Sequence, residues 1–525
     1  MAVPPPVRRP HGTGVRGSTL ARGSQLFGGP FGRIFRALPP ADFGPDDDAS
    51  VTALGKLAQA MVTPKDPADP KDGQDGEESG IPALYTYFGQ FIDHDLTFDP
   101  ASSLQRQNDP DALVDYRTPR FDLDNIYGRG PDDQPYMYAD GRSFNLGLPL
   151  SGAAANPRAK DLPRSNSTPP LSGAPQRAII GDPRNDENVI VSQLQGLLHR
   201  FHNKIARDHD GTGVLPRWEF DRVQREVRYH YQWVVLTDFL PTIVDADVLK
   251  LVAPHHDHNH PLKPNLEFYK PKNETFMPLE FSAAAYRFGH SMVRPGYRLS
   301  ETIPPLSIFR KDAGPALTGF GLFPNTWAID WNLFIDLEPR DPANTTRMQL
   351  AYKIDTALVD PLGHLPDPIT KDPPPLDSLA FRNLKRGWRM RLPNGQSIAR
   401  AMGLVPLADK DIKIGKFTDD PADIAAQVKI VDIDPVFADN CPLWTYVLAE
   451  TVPSQVAVDT KAPHRKVLTR KLGPVGGRIV AETFVGLLCF DSQSFLSQDP
   501  LWRPPSVVAG GKFGLRELVE TALSF

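Results

Sequence analysis

The chain has 525 residues, 40% of them hydrophobic, and a formal net charge of −5. Its hydrophobic content supports a large buried core, and length alone allows roughly two to four domains. The charge is spread along the chain without a basic stripe, which argues against nucleic acid or an anionic membrane surface as the partner.

No window approaches the roughly 18 consecutive apolar residues that cross a bilayer. The late apolar burst, Phe484 to Phe490, is far shorter, and Met1 to Arg9 is rich in proline and arginine with no apolar signal-peptide centre. The expectation is a soluble protein, cytoplasmic or exported by a non-classical route. Two cysteines, Cys441 and Cys489, exclude a disulfide framework and any Cys-rich zinc or iron–sulfur site. The 55 prolines, about twice the usual frequency, belong in extended connections between helices.

In chain order, residues 1–50 read as an irregular arm, and Thr63 to Gly80 as a solvent loop. Ile81 to Phe98 is dense and aromatic, with Leu84, Phe88 and Ile92 at helical spacing. A loop-rich stretch from Gly128 to Ser172 precedes the strongest helical signal. There Val189, Leu194, Leu197, Leu198, Phe201 and Ile205 form one apolar stripe. Trp218 to Val244 predicts a second long helix broken near Pro241, and residues 252–277 a loop. Leu279 to Val293 predicts an Ala-rich helix stopped at Pro295. Asp360 to Asp377 reads as Pro-rich linker, and Arg478 to Phe495 as a late apolar helix. Alternating runs are few and no repeat is found. The expected architecture is one large, mainly α domain over 51–525, its motif-bearing core at about 81–500, with long Pro-rich loops and little β structure.

Four polar clusters interrupt the apolar pattern. Gln90 and His94 lie four apart and share a helix face, while Asp93 and Asp95 point about 100° to either side of His94. Burying them costs free energy unless partners are present, so both a satisfied core histidine and a functional one fit. In GDPRNDE (Gly181 to Glu187), Arg184 and Glu187 are three apart; a solvated arginine before a helix fits as well as a directional site cation. Tyr286-Arg287-Phe288-Gly289-His290 holds a histidine more often core than ligand, preceded by a glycine where something flat could approach. Asn383 to Gly387 is a polar burst uninformative by itself.

Together and in this order, GQFIDHDLTF, TPRFDLDNIYG, GDPRNDEN and YRFGHSMVRP resemble the animal haem peroxidases, the superfamily of myeloperoxidase, lactoperoxidase and peroxidasin. LHRFHNKIA and YHYQWVVLTDFLPTIV are also similar to family helices. The resemblance covers roughly residues 81–500. It implies haem b, and hydrogen peroxide as oxidant of halides, pseudohalides or small aromatic donors through a ferryl intermediate. It makes His94 the distal acid/base, Gln90 a distal hydrogen-bonding residue and Arg184 the distal arginine. His290 becomes the proximal iron ligand, with Asn383 accepting from its other ring nitrogen and Arg287 beside it. Asp93 and Glu187 match positions that form ester bonds to haem, and Asp95, Thr118, Arg120 (through its carbonyl), Asp122 and Asp124 match calcium ligands.

The departures are informative. Asn188 stands where myeloperoxidase has a haem-bonded methionine, so that link should be absent. The segment NLKRGWRMRLPNGQ resembles bacterial members. A fatty-acid dioxygenase of cyclooxygenase type would carry tyrosine three residues before the proximal histidine, where this chain has Arg287. A non-catalytic haem- or calcium-binding protein would not need the His94, Arg184 and Glu187 set. The tract His255 to His260 reads as a solvated loop rather than a metal site, and His199 and His202 as packing groups.

Overall fold

The computed structural model describes residues 31–63, 75–97, 117–165, 176–209, 216–253, 262–272, 275–309, 314–338, 348–366, 373–374, 376–458 and 466–525. The tract 255–260 lies outside them. In chain order the main elements are α1 (Asp47–Met61), β1 (Glu78–Pro82), α2 (Leu84–Leu96), α3 (Val189–Asp208), α4 (Pro216–Val234), β2 (Leu350–Tyr352), α5 (Leu379–Arg389), β3 (Val452–Ala457), β4 (Lys466–Lys471), α6 (Gly476–Phe490) and α7 (Leu515–Leu523). The fold is mainly α. Among the described residues every sheet has two strands, the longest being the antiparallel β3–β4 hairpin that pairs Val452 with Lys471 and Ala457 with Lys466.

The helix α2 is apolar on nearly every side, so it sits inside the protein rather than on it. Phe88 and Phe91 pack edge-on against Tyr231 of α4. Beside it, α3 starts at Asn188, whose side chain accepts from the amides of Ile190 and Val191 and satisfies two of the free N-terminal donors. Its stripe of Leu194, Leu197, Leu198 and Phe201 is buried, and it packs against α2, α4 and α7. After Val234 the chain widens into a π turn, Val235–Phe239, then continues as Leu240–Ile243. Pro241 cannot donate to the carbonyl ladder, and the wider turn absorbs the misfit without ending the helix.

Four sequence expectations need correction. The arm over residues 1–50 gives way to helix at Asp47, which Asp46 caps by accepting from the Ala49 amide. The described end of the Thr63 to Gly80 stretch does not stay in solvent: Glu77, Glu78 and Ser79 are buried, and Glu78 pairs with buried Arg294 at 3.1 Å. The Leu279 to Val293 helix is one α turn (Leu279–Ser282) followed by a 3-10 segment (Ala285–His290). Competing side chains explain that break: Arg287 Nε donates to the Ser282 carbonyl and Trp444 Nε1 to the Arg287 carbonyl, taking acceptors an α-helix would need. The Asp360 to Asp377 linker contains one helical turn, Asp360–Gly363.

Candidate active site

On α2, which is otherwise buried, Gly89, Gln90 and Asp93 form the face that solvent reaches. Arg184, Glu187, Asn188, Arg287, Gly289 and His290 are likewise only partly buried. The proton affinities of Glu187 and His290 are nonetheless those of desolvated groups. Burial pushes Glu187 up to about 7 against the charge of Arg184, and burial with Arg287 pushes His290 down to about 3. Glu187 and His290, which touch solvent yet titrate as buried groups, line an internal cleft rather than the outer surface.

His94 projects from α2 beside this cleft. Its Nδ1 lies 2.7 Å from Asn185 Oδ1 and its Nε2 3.7 Å from Glu187 Oε1. Burial and then Arg184 push it down to about 4, so it is a neutral imidazole near pH 7. Glu187 also accepts from Gln90 Nε2, and Asn188 Nδ2 donates to Gln90 Oε1 at 3.2 Å. The His94, Gln90 and Glu187 side chains therefore form one cluster.

Arg184 lies in the 3-10 turn Pro183–Asp186, where the Asp182 side chain caps its amide at 2.8 Å. Its Nη2 donates to Asp182 Oδ2 at 2.8 Å and to the His94 carbonyl at 3.0 Å. Asp182 is fully buried. Burial opposes its ionisation, but Arg184 and Arg117 together hold the carboxyl well below the usual range. Arg184 is thus held by a carboxylate that sequence reasoning missed, although Asp182 stands two residues before it.

His290 ends its 3-10 segment with Nδ1 2.7 Å from Asn383 Nδ2 of α5. Asn383 donates if that nitrogen is bare; with the amide turned over, Asn383 accepts from Nδ1–H. A side chain at Gly289 would meet nothing within 4 Å, which leaves open space next to His290. The charge of Asp93 acts on both His94 and His290, so the two histidines share one electrostatic environment. Tyr286, four before His290, is buried and donates to the Gly89 carbonyl at 3.2 Å. Bare space at Gly289, next to the His290 imidazole, would admit a flat cofactor with a metal centre.

Behind His94, Asp95 is 0% exposed and neither carboxylate oxygen has a hydrogen-bond partner. Asp95, Asp122 and Asp124 bring carboxylate oxygens within 4.8 Å of one another. Thr118 Oγ1 donates to Asp122 Oδ2 at 2.6 Å. The Arg120 amide donates to the Thr118 carbonyl at 2.8 Å, and its side chain reaches Asp491. Three carboxylates this close together, with neither Asp95 oxygen hydrogen-bonded, suit a cation such as calcium. Arg117 bridges this cluster to the cleft, 3.3 Å from Asp124 and bonded to Asp182. His199 and His202 prove to be hydrogen-bonded core groups; His202 sits between Tyr127 Oη and the Arg142 carbonyl.

Residues 102–313 match the family model described as animal haem peroxidase. The match spans Thr118 to Asp124, Arg184, Glu187 and His290; the His94 and Asn383 segments lie outside it. Lactoperoxidase of Mesocricetus auratus is 24% identical over 246 residues, which is 44% of this chain and 30% of that protein. Other curated relatives are matched over as little as 8% of their length, so the chain spans only a minor part of them. Among solved structures, peroxidase A of Dictyostelium discoideum is similar over 95% of this chain and 94% of its own, with a TM-score of 0.60 and 15% identity. A fatty acid alpha-dioxygenase of Arabidopsis thaliana is similar over 96% of this chain and 76% of its own, with a TM-score of 0.54 and 15% identity. At those identities the likeness concerns the fold.

Proposed function

We propose that this chain, whose residues 102–313 belong to the animal haem peroxidase family, is a haem peroxidase that uses hydrogen peroxide to oxidise halides, pseudohalides or small aromatic donors. The observation that carries this reading is a pair of histidines from separate segments, each engaged through Nδ1 by an asparagine amide at 2.7 Å and both within the field of Asp93. Haem b, when bound, supplies the iron at which peroxide is reduced to water and the donor is oxidised. His290 would hold that iron through Nε2, with Asn383 turned to accept from Nδ1–H and fix the tautomer. Arg287 lies beside it.

His94 would act on the peroxide. Neutral and bare at Nε2, it takes a proton from one peroxide oxygen and returns it to the other as that oxygen leaves as water. Gln90 positions the peroxide. Arg184 places positive charge beside the developing negative charge, with Asp182 fixing its direction. Asp93 and Glu187 are the carboxylates available for ester links to haem. Calcium would sit among Asp95, Thr118, Arg120, Asp122 and Asp124, joining α2 to the 118–124 loop. No helix among the described residues is long and apolar enough to cross a membrane.

The test is a haemochrome spectrum of the purified protein, followed by oxidation of chloride, bromide, iodide, thiocyanate and guaiacol with peroxide. Turnover of at least one donor is expected. Oxygen uptake with linoleate and no donor oxidation would replace the proposal with a dioxygenase. The absence of both would leave a haem- or calcium-binding protein without turnover.

A further inference from the structure

Asn185 is not the end of the hydrogen-bonded chain that starts at His94. Its Nδ2 donates to Gln195 Oε1 at 2.7 Å, and Gln195 Nε2 lies 2.8 Å from His199 Nε2. Asn185 and Gln195 are 0% exposed and His199 1%. Gln195 and His199 lie four apart on α3 and so share its face. The His199 ring is stacked on Phe144 at 4.2 Å, and burial pushes it down to about 3, so it stays neutral. No carboxylate joins the chain.

On the premise of the peroxidase reading, we propose that Gln195 and His199 are positioning residues that hold the distal histidine in the tautomer protonated at Nδ1. An amide offers oxygen on one side and nitrogen on the other, so the chain has only two polarities. In the polarity observed, His199 Nε2 accepts from Gln195, Gln195 Oε1 accepts from Asn185, and Asn185 Oδ1 accepts from His94 Nδ1–H. Nε2 of His94 then carries a lone pair toward Glu187 and the cleft. In the reverse polarity every amide turns over, Asn185 Nδ2 faces His94 Nδ1, and Nε2 carries the proton. A histidine in that state cannot accept a proton from peroxide. The His94 tautomer is thus tied to the orientation of the Asn185 and Gln195 amides and to the His199 tautomer, whose Nδ1 is buried without a hydrogen-bond partner.

Gln195→Leu removes the acceptor that orients Asn185, and His199→Phe keeps the stack on Phe144 but frees Gln195. Gln195→Glu retains an acceptor for Asn185 Nδ2 and should restore the orientation, which a merely structural role would not allow of a buried acid. The ferrous–carbonyl holoprotein, labelled with 15N-histidine, reports the His94 tautomer directly, its resonance assigned by loss in His94→Leu. Nδ1–H is expected in the wild type and Gln195→Glu, and a mixture in Gln195→Leu. Cyanide association with the ferric holoprotein, which also needs a distal base, should slow about fivefold or more in Gln195→Leu, the equivalent of one lost neutral hydrogen bond. Carbon monoxide association should not change. An Nε2–H tautomer in the wild type, or equal cyanide rates in wild type and Gln195→Leu at equal haem content, overturns the positioning role. A wild type that binds no haem overturns the peroxidase reading and the positioning role with it.

Discussion

Calcium removal should cost this protein stability; charge geometry supplies the reason and mass action the size per decade of free calcium. Two unit charges 4.8 Å apart repel by about 3.5 kcal/mol at an effective dielectric near 20. Asp95, Asp122 and Asp124 would make three such pairs at or within that distance if all were ionised; burial and this repulsion push Asp95 and Asp124 up, and Arg117 at 3.3 Å from Asp124 offsets part of it. A divalent cation among them removes the repulsion and gives both orphaned Asp95 oxygens a partner. Above its dissociation constant, each decade of free calcium adds about 1.4 kcal/mol to folding. Unfolding entropy near 2.1 cal/mol/K per residue gives about 1.1 kcal/mol/K for the whole chain. The melting temperature should therefore rise by about 1.3 °C per decade of calcium. Asp95→Asn keeps the shape and removes one charge. Its calcium-free melting temperature should equal or exceed that of the calcium-free wild type, and its calcium slope should vanish. Differential scanning calorimetry across a chelator-buffered calcium series measures both. A flat wild-type series, or an unchanged slope in Asp95→Asn, would refute the cation site.

Other expectations follow from single contacts. Glu450 accepts from the Val475 and Gly476 amides at the start of α6, yet burial pushes it up to about 8. A folded value above the unfolded one means its contribution is full below about pH 4.5 and is lost as pH rises to about 8, at most about 1.4 kcal/mol per unit. Glu450→Gln should flatten that part of the stability profile in urea titrations. Glu78→Ala removes the carboxylate that pairs with buried Arg294, leaving its bond to the Leu350 carbonyl, and should cost about 3–5 kcal/mol by the same measurement. A Cβ at Gly181 would lie 2.6 Å from the Asn125 carbonyl and 2.7 Å from that of Asp124. Gly181→Ala should therefore push the calcium loop off the Arg184 segment, costing about 1–3 kcal/mol and shifting the calcium-dependent melting series to higher concentrations.

The site was more legible in the sequence than the secondary structure around it. Gln90, Asp93, His94 and Asp95 could be placed around one helix because α2 is regular and its spacing alone fixes the faces. The 3-10 segment before His290 was not legible, since the Arg287 and Trp444 bonds that open it come from side-chain direction and from a residue far along the chain. The β1 strand was hidden because its acidic residues look solvated until Arg294, more than two hundred residues away, is seen beside Glu78. Asp182 and Asn185 stood inside a segment already singled out, but their partners Arg117 and Gln195 could be found only in space. Gln195 and His199 did leave a trace: two polar residues four apart in an apolar stretch of α3.

The central claim is that His94 moves the peroxide proton. Stopped-flow mixing of the ferric holoprotein with hydrogen peroxide, followed in the Soret band, tests it most directly when wild type and His94→Leu are compared at equal haem content. A rapid second-order change in the wild type is expected, slowed by about 10²–10⁴-fold in the variant, the range for loss of a positioned acid/base. No Soret change in the wild type, or an equal rate in His94→Leu, would contradict the account.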